Sequence, residues 1–478
     1  MPTLGLENTY AEQLDGLYVP HTPQGFPNPV MVELNRSLVA ELGLDEALLD
    51  AQGAALLSGT RVPDDSRPLA QAYAGHQFGG FSPQLGDGRA VLLGEIVDVH
   101  GHRRDLHLKG SGRTAFSRGG DGKATLGPVL REYLVGEAMH HLGIPTTRVL
   151  AALTTGETVH RSEPLPGAVL ARIAASHLRV GTLEFFAVRQ DHAKLARVVD
   201  YALARHYPDA TGTPAVALLR AVAEAQGRLI ASWMNVGFIH GVMNTDNCTL
   251  SGETLDYGPC AFLDRYDPST VFSSIDHGGR YAYGNQPGIA QWNLARMGEA
   301  LLPLIADDEE EAVEHVQEAL RLYARTYQDA LVAGLLAKLG CAGSHPDDPA
   351  LLSDFLGWME STRQDFTGTF RALSAGLRSG QPAFDDAAFL AWSSRWHARL
   401  EGDPMERADR MDEVNPVYVP RNHLVEEALD AAVAGDLGPF RSMLAVLERP
   451  YTARDGLERY ASPAPPAFEE TYQTFCGT

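Results

Sequence analysis

The stretch FIHGVMNTDNCTLSGETLDYGPCAFLD, residues 238–264, constrains the fold of this chain more than any other feature. It places His240, Asp246, Asn247 and Asp256 close together, directly after a long helical pattern. Carboxylate and amide oxygens suit Mg²⁺, which takes few protein ligands and keeps water and phosphate oxygens. An Asx-rich turn between two strands would use the same residue types. Because the whole set falls within one short span, we favour a metal–nucleotide site over a turn.

Composition and charge narrow the classes of function. The chain has 478 residues, of which 44% are hydrophobic and 21% charged, as expected of a globular enzyme with two or three domains or two lobes. Its formal net charge of -22 repels nucleic acid, so we expect no nucleic-acid partner. No stretch reads as a signal peptide or as a bilayer span, and the cysteines form no C-x-x-C pair. We therefore expect a cytoplasmic protein with no membrane partner, and the oligomeric state stays open.

The local patterns change along the chain from strand-rich to helical. Residues 89–99, 105–110 and 168–174 read as strands, and residues 127–144 between them as a helix. Helical spacing of apolar residues predicts long helices over residues 215–238, 291–305 and 310–339. Residues 28–44 also read as short helical patterns.

These changes divide the chain into four segments. They are an N-terminal extension (1–65), a strand-rich N-lobe with a Gly-rich nucleotide loop (66–190), a helical C-lobe with the catalytic and metal site (191–400), and a C-terminal helical extension with a Cys-containing tail (401–478). A strand-rich lobe followed by a helical lobe predicts an α+β, protein kinase-like bilobal fold.

Glycines cluster just before the first predicted strand of the N-lobe. Gly79, Gly80, Gly86 and Gly88 would let backbone N–H groups approach phosphate closely. A surface loop that needs positive φ angles is the alternative. The stretch matches neither a Walker A nor a dinucleotide-binding fingerprint.

Lys109 ends a short alternating strand about twenty residues after those glycines. A kinase-type fold puts a lysine there to hold nucleotide phosphates, fixed by a helix glutamate. Glu132 and Glu137 lie on the next helix, roughly 140° apart around it, so only one can face the lysine. We favour Glu132, and the alternative is an ordinary surface lysine.

Three further charged residues lie in or near this lobe. Asp121 stands in a second Gly-rich turn, GGDGK, which is either a plain turn or part of a phosphate loop. Arg172 and Arg179 could clamp phosphate oxygens by bidentate hydrogen bonds. Taken alone, the two arginines are better explained by salt bridges in so acidic a chain.

Residues 240–258 match the kinase catalytic loop with one departure. Kinases have His-x-Asp, an Asn five residues after that Asp, and a later Asp that holds metal. Asn247 and Asp256 fit, but the position five before Asn247 holds Val242, which cannot accept a proton. A carboxylate stands instead at Asp246, directly before the asparagine.

Four long segments resemble the selenoprotein O (SelO) family of pseudokinases and, with their spacing, cover most of residues 70–300: QLGDGRAVLLGE, LKGSGRTAFSRGGDGKATLGPVLREYL, GFIHGVMNTDNCTLSGETLDYGPCAFLD and GRYAYGNQPGIAQWNLARM. The resemblance implies a kinase-like fold that binds ATP turned around, so that the α-phosphate faces the acceptor. The implied activity is that of a protein adenylyltransferase. It would move AMP from ATP to Ser, Thr or Tyr hydroxyls of protein substrates and release pyrophosphate.

The same resemblance implies roles for individual residues. Asp246 would be the proton acceptor, and Asn247 and Asp256 would hold Mg²⁺, with Mn²⁺ as another candidate metal. The nucleotide would contact Asp256 together with Gly86, Gly88, Arg89, Lys109, Asp121, Gly122, Arg172 and Arg179. The sequence leaves open whether UTP serves as well as ATP. An ordinary phosphotransferase and a non-catalytic nucleotide-binding scaffold are the alternative functions.

The C-terminal tail departs from part of that family, whose eukaryotic members carry Cys-x-x-selenocysteine near the end. Here the given sequence ends in CGT, so we expect no second redox group beside Cys476. We hypothesise that Cys476 pairs reversibly with another cysteine such as Cys260 and regulates access to the site. A free exposed thiol is the alternative.

Overall fold

The computed structural model describes residues 2–475, and a sheet dominates their N-terminal part. Its strands and those of two small hairpins are β1 (Tyr18–Pro20), β2 (Val30–Leu34), β3 (Leu69–Gln71), β4 (Gly75–Gln77), β5 (Gly80–Ser82), β6 (Ala90–Val97), β7 (Arg103–Lys109), β8 (Ala124–Thr125), β9 (Arg148–His160), β10 (Pro164–Ala174), β11 (Phe238–Ile239) and β12 (Ala261–Phe262). The main sheet is antiparallel with the order β1-β3-β6-β7-β10-β9-β2, and β8 pairs with β10.

Helices dominate the chain after residue 180. In chain order the helices are α1 (Thr9–Gln13), α2 (Arg36–Glu41), α3 (Glu46–Leu57), α4 (Leu126–His141), α5 (Val180–Ala187), α6 (His192–His206), α7 (Pro214–Val236), α8 (Gln286–Ile305), α9 (Glu309–Lys338), α10 (Asp348–Thr362), α11 (Phe366–Ser379), α12 (Ala387–Arg399), α13 (Pro404–Val414), α14 (Asn422–Val433), α15 (Gly438–Leu447), α16 (Glu458–Ala461) and α17 (Pro466–Glu469). No helix within residues 2–475 is long and apolar enough to cross a membrane.

The central strands of the sheet are buried on both faces. β6, with the sequence AVLLGEIV, is therefore almost continuously apolar rather than alternating. One face packs on side chains of α2 and α3, such as Leu38 and Leu56. The opposite face packs on α4.

Helix α4 lies between the sheet and the C-terminal helices. Its Val129, Leu130 and Tyr133 share one apolar cluster with β9 and β10 on one side and with α14 and α15 on the other. Phe440 of α15 meets the Tyr133 ring edge-on at 5.9 Å. The C-terminal extension thus covers the helix that carries Glu132.

A tight turn after α7 places the loop that bears the polar cluster. Gly237 ends α7 in the left-handed conformation, at φ 74°, which glycine adopts without strain. The chain then enters β11, which pairs with β12 through Phe238 opposite Phe262. The polar residues of the intervening loop are thereby held at the edge of the helical core, facing the sheet.

Most predicted elements are confirmed, with bounds shifted by a few residues. The predicted strands correspond to β6, β7 and β10, and the predicted helices to α4, α7, α8 and α9. The helical reading of residues 28–44 is wrong in its first half, because Val30–Leu34 forms β2 and pairs with β9. The alternation in VMVEL suits an edge strand, and only Arg36–Glu41 is helical. The four-segment division stays a prediction, although β1 and β2 of its first segment join the main sheet.

Candidate active site

A cleft of about 490 Å³ opens between the main sheet and the loop that follows β11. It collects the predicted site residues from distant parts of the chain. Those that line it are Gly86, Gly88, Arg89, Lys109, Asp121, Gly122, Arg172, Arg179, Asp246, Asn247 and Asp256. Glu132 lies buried behind the cleft wall on α4, and the predicted glycines Gly79 and Gly80 lie in the β4–β5 hairpin, outside the cleft lining.

Lys109, at the end of β7, is held between two carboxylates. Its Nζ donates to Glu132 Oε2 at 2.6 Å and to Asp256 Oδ1 at 2.7 Å. Glu137 faces elsewhere and accepts two bonds from Arg148, each at 2.7 Å. The structure therefore places Glu132, not Glu137, against the lysine, and the side chain of Lys109 is not a surface one.

Arg172 of β10 is buried, with 1% of its surface exposed. Its Nη1 donates to Asp256 Oδ1 at 2.7 Å and to Glu132 Oε1 at 3.1 Å. Behind it, Nε donates to His177 Nε2 at 3.1 Å and Nη2 to His107 Nδ1 at 3.3 Å. Arg172 thus forms the salt bridges that its surroundings suggested, but with the carboxylates of the cleft itself.

Arg179 brings a second buried guanidinium to the same wall. It precedes α5, is 2% exposed, and donates from Nη1 to the backbone oxygen of Asp246 at 2.9 Å. Its guanidinium lies 4.4 Å from the centre of the Tyr73 ring. The nearest oxygens of Asp87 and Asp256 are 3.8 Å away, beyond hydrogen-bonding distance. The buried end of the cleft is consequently rich in positive charge.

The two aspartates of the loop titrate in opposite directions. Burial acts to raise the pKa of Asp256, but the charges of Lys109 and Arg172 prevail and hold that pKa well below its usual range. Burial raises the pKa of Asp246 to about 6, and Arg179 only partly offsets it. One carboxylate is therefore a fixed anion, while the other is more basic than an ordinary aspartate.

Asp246 lies in a single 3-10 turn, Thr245–Asn247, and lines the cleft. Its Oδ2 accepts a hydrogen bond from Gln77 Nε2 at 3.1 Å. Its Oδ1 is buried and has no hydrogen-bond partner among residues 2–475. Val242, at the position where kinases carry their base, is a buried apolar part of the cleft lining. Asp246 supplies the free carboxylate oxygen that Val242 cannot.

Two neighbouring oxygens fit the needs of a bound cation. Asn247 donates its Nδ2 to the backbone oxygen of Val242 at 3.1 Å, which turns its Oδ1 away from that bond. Asp256 binds Lys109 and Arg172 through Oδ1 alone, so its Oδ2 stays free of close ion pairs. No cluster of three or more His, Cys, Asp or Glu side chains in the described chain could hold a metal by itself. The donor set suits an ion that completes its shell with phosphate and water oxygens.

Glycine is required at two points of the cleft wall. Gly86 has φ 94°, and a Cβ there would collide with the Phe116 ring. Gly122 has φ 70°, and a Cβ there would meet the backbone of Gly112. Both positions therefore bring bare backbone to the cleft, as a phosphate-binding loop needs.

Asp121 and Arg89 lie nearer the mouth of the cleft. Asp121 accepts two bonds from Arg161, at 2.8 and 3.1 Å, and that bond lowers the pKa of the carboxyl group. The Asp121 side chain is 44% exposed. The backbone oxygen of Arg89 accepts from Gly110 at 2.7 Å, which ties the Gly-rich loop to the end of β7.

His240 belongs to the support of the loop rather than to the cleft. Its Nε2 bonds the Leu255 oxygen at 2.8 Å, and its ring stacks on Trp233 at 5.4 Å. Burial lowers the pKa of this histidine, which keeps it neutral. Cys260 is a buried free thiol, and Cys476 lies outside the described residues, so the redox hypothesis stays a prediction.

Sequence reasoning missed several residues of the cleft. They line the cleft but were assigned no role from the sequence: Tyr73, Gln77, Asp87, His107 and Asn244. Asp87 bonds His107 at 3.1 Å, and both are buried. The one usable signal was position, since Asp87 lies between the two glycines Gly86 and Gly88.

Comparison with known proteins gives consistent matches over the whole chain. The family model described as "Protein adenylyltransferase SelO" matches residues 2–448. A protein named protein nucleotidyltransferase YdiU from Cereibacter sphaeroides (strain KD131) is 58% identical over 483 residues, covering 100% of both chains. Its namesake in Mycolicibacterium smegmatis is 53% identical, covering 99% of this chain and 98% of its own.

Solved structures were also matched, and ROP2 is one of them. ROP2 from Toxoplasma gondii, described as a virulence factor with a protein-kinase fold and no enzymatic activity, covers 69% of this chain and 86% of its own. The identity is 13% and the TM-score 0.23, too low to support any argument.

Proposed function

The chain belongs to the protein adenylyltransferase SelO family and is a protein nucleotidyltransferase, and from that premise we propose how its cleft transfers AMP from ATP to Ser, Thr and Tyr hydroxyls of proteins. One observation carries the proposal. Asp246 presents a buried carboxylate oxygen without a partner, next to a wall of three cations, Lys109, Arg172 and Arg179. A base and a polyphosphate-binding surface thus share one cleft.

The distribution of charge supports an orientation of ATP in which the phosphates occupy the buried end of the cleft. Arg172 and Arg179 occupy the buried end of the cleft, together with His107 and Asp87. Such a polar, cationic lining suits phosphate oxygens, whereas the adenine ring of ATP prefers apolar walls. The γ-phosphate would be held there, and the α-phosphate would face outward to Asp246 and the acceptor.

In the proposed reaction Asp246 takes the proton of the acceptor hydroxyl. The hydroxyl oxygen forms a bond to the α-phosphorus, the bond from that phosphorus to the oxygen bridging to the β-phosphate breaks, and pyrophosphate leaves with the electron pair. The raised pKa of Asp246 makes it a better proton acceptor than an exposed aspartate. Lys109 and Arg172 stay in place to neutralise charge on the departing pyrophosphate.

A metal would be held by Asn247 and Asp256. When bound, Mg²⁺ adds positive charge beside the phosphates and orients them. The protein groups meanwhile keep Asp256 ionised through its contact with Lys109 at 2.7 Å. Mn²⁺ meets the same oxygen donors, and UTP carries the same triphosphate, so we propose ATP with Mg²⁺ as the preferred pair and compare the other pairs in the same assay.

The test is transfer of label to protein. The enzyme is incubated with Mg²⁺ and with ATP labelled at either the α- or the γ-phosphate. We expect label from α only, and Asp256→Ala should abolish it. Label from γ only would make the enzyme a phosphotransferase with Asp246 as kinase base. Binding of ATP with no label from either position, on the enzyme or on an added protein, would favour a non-catalytic scaffold.

A further inference from the structure

The small hairpin β4–β5 reaches over the cleft and bonds the loop that carries Asp246. Three successive residues of the hairpin each bind a different loop residue: His76 N donates to Thr245 Oγ1 at 2.7 Å, Gln77 Nε2 to Asp246 Oδ2 at 3.1 Å, and Phe78 N to Asn244 Oδ1 at 3.1 Å. Of these three residues, only Gln77 contacts the loop through its side chain, and its partner is Asp246.

The neighbours of Gln77 are fixed on both sides. Glu184 of α5 is 4% exposed and bridges hairpin and loop, with Oε1 at 2.5 Å from His76 Nδ1 and Oε2 accepting from Thr245 Oγ1 at 2.6 Å. Phe78, at φ 51°, packs edge-on against Tyr281 at 5.1 Å. The amide of Gln77 therefore has a defined position relative to the loop, which a positioning role requires.

The two oxygens of Asp246 have different surroundings. Oδ2 is bound by Gln77, while Oδ1 is buried without a partner among the described residues. Space beside Oδ1 depends on Gly75 of the same hairpin, because a Cβ there would lie 2.8 Å from that oxygen. The hairpin thus tethers one oxygen and packs closely against the other.

We propose that Gln77 is the positioning residue for Asp246. Its amide holds Oδ2 and so fixes the orientation of the carboxylate, which receives the proton of the acceptor hydroxyl as the hydroxyl oxygen attacks the α-phosphorus. This inference rests on the proposed function, in which Asp246 is the base. A carboxylate held by a hydrogen bond at one oxygen has a defined orientation, and small errors in that orientation slow proton transfer.

The experiment compares Gln77→Ala and Gln77→Glu with the wild-type enzyme. Transfer from α-labelled ATP to casein, a generic hydroxyl-bearing acceptor, gives kcat and KM, and calorimetry gives the Kd for ATP. Gln77→Ala should lower kcat about tenfold or more, with KM and Kd changed less than about twofold. Gln77→Glu keeps the length but loses the N–H donor, so it should be at least as slow.

The matched control is Gln84→Ala, which removes an exposed glutamine from the same stretch, outside the cleft lining. It should keep the wild-type kcat. Should Gln77→Ala melt below this control, Gln77→Glu carries the test because it preserves packing.

Asp246→Asn separates this inference from the proposed function. If Asp246→Asn is inactive while both Gln77 variants keep the wild-type kcat, only the role of Gln77 is overturned. A slow Gln77→Ala beside a fully active Gln77→Glu also overturns it, because side-chain size rather than the donor would then matter. Wild-type kcat in Asp246→Asn would overturn the proposed base, and the positioning role with it.

Discussion

The carboxylate of Asp256 offsets the positive charge of the three cations in the cleft wall. Replacing Asp256 by asparagine tests how much the protein depends on that negative charge. The carboxylate lies 2.7 Å from Lys109 Nζ, 2.7 Å from Arg172 Nη1 and 3.8 Å from Arg179 Nη1. Asp256→Asn keeps the shape and removes the charge. Breaking a buried ion pair costs about 3–5 kcal/mol, and the 22% exposure of Asp256 moves our expectation to about 2–3 kcal/mol of lost stability.

ATP without metal should restore what the substitution removes. Its triphosphate brings negative charge to cations that Asp256 no longer neutralises, so ATP in EDTA should bind Asp256→Asn more tightly than the wild type. A tenfold gain in affinity would add about 1.4 kcal/mol of ligand stabilisation at saturation. With Mg²⁺ present, transfer should nevertheless fall roughly a hundredfold or more, because an oxygen donor to the metal has lost its charge. Calorimetry and thermal melting in EDTA measure the first effect, and α-label transfer the second.

Glu137→Gln is the matched control. It also removes a buried carboxylate from an arginine pair, with Arg148 at 2.7 Å, but away from the cleft. Glu137→Gln should lower the stability of the protein but should bind metal-free ATP no more tightly than the wild type. Weaker binding of metal-free ATP to Asp256→Asn than to the wild type would refute the reasoning that Asp256 serves as counter-charge to the phosphate site.

Three further predictions concern Glu132, Gly122 and Lys338. Glu132→Gln should lower transfer about tenfold and also lower the melting temperature, because Lys109 and Arg172 lose a buried charged partner, and α-label transfer and thermal melting test this. Gly122→Ala should weaken ATP binding about tenfold by calorimetry, since its Cβ would press on the Gly112 backbone at φ 70°. Burial lowers the pKa of Lys338 to about 7, so the unfolded state binds more protons between pH 7 and about 10.5 and wild-type stability gains with pH there. Lys338→Met should therefore be more stable by about 4 kcal/mol at pH 7, with the difference shrinking toward pH 10 in urea unfolding; a constant difference would contradict this.

Residues with strong local patterns were the ones that could be predicted. Lys109 ends an alternating strand, and the spacing of Glu132 and Glu137 on one helix leaves room for only one partner. Asn247 and Asp256 stand at the spacing of the kinase catalytic loop, which can be read directly from the sequence. For these residues, spacing within one strand, one helix or one loop was enough to predict that they meet at the same cleft.

Gln77 and β2 could not be predicted, for different physical reasons. Gln77 acts across 169 positions of sequence on Asp246, and nothing local to it differs from any turn glutamine. β2 is an edge strand of five residues directly before a helix, so its short alternation merges with the helical pattern that follows. Its pairing with β9 is a tertiary effect that overrides local propensity.

The covering of α4 by the C-terminal helices has a consequence for control of the enzyme. Many kinases switch off by swinging the helix that bears the glutamate away from the lysine. Here such a swing would tear Leu130 and Tyr133 from Val425 and Phe440, exposing a large apolar surface to water. The packing of α4 therefore favours a permanently formed Lys109–Glu132 pair. We expect inhibition of the enzyme to act on access to the cleft rather than on this pair.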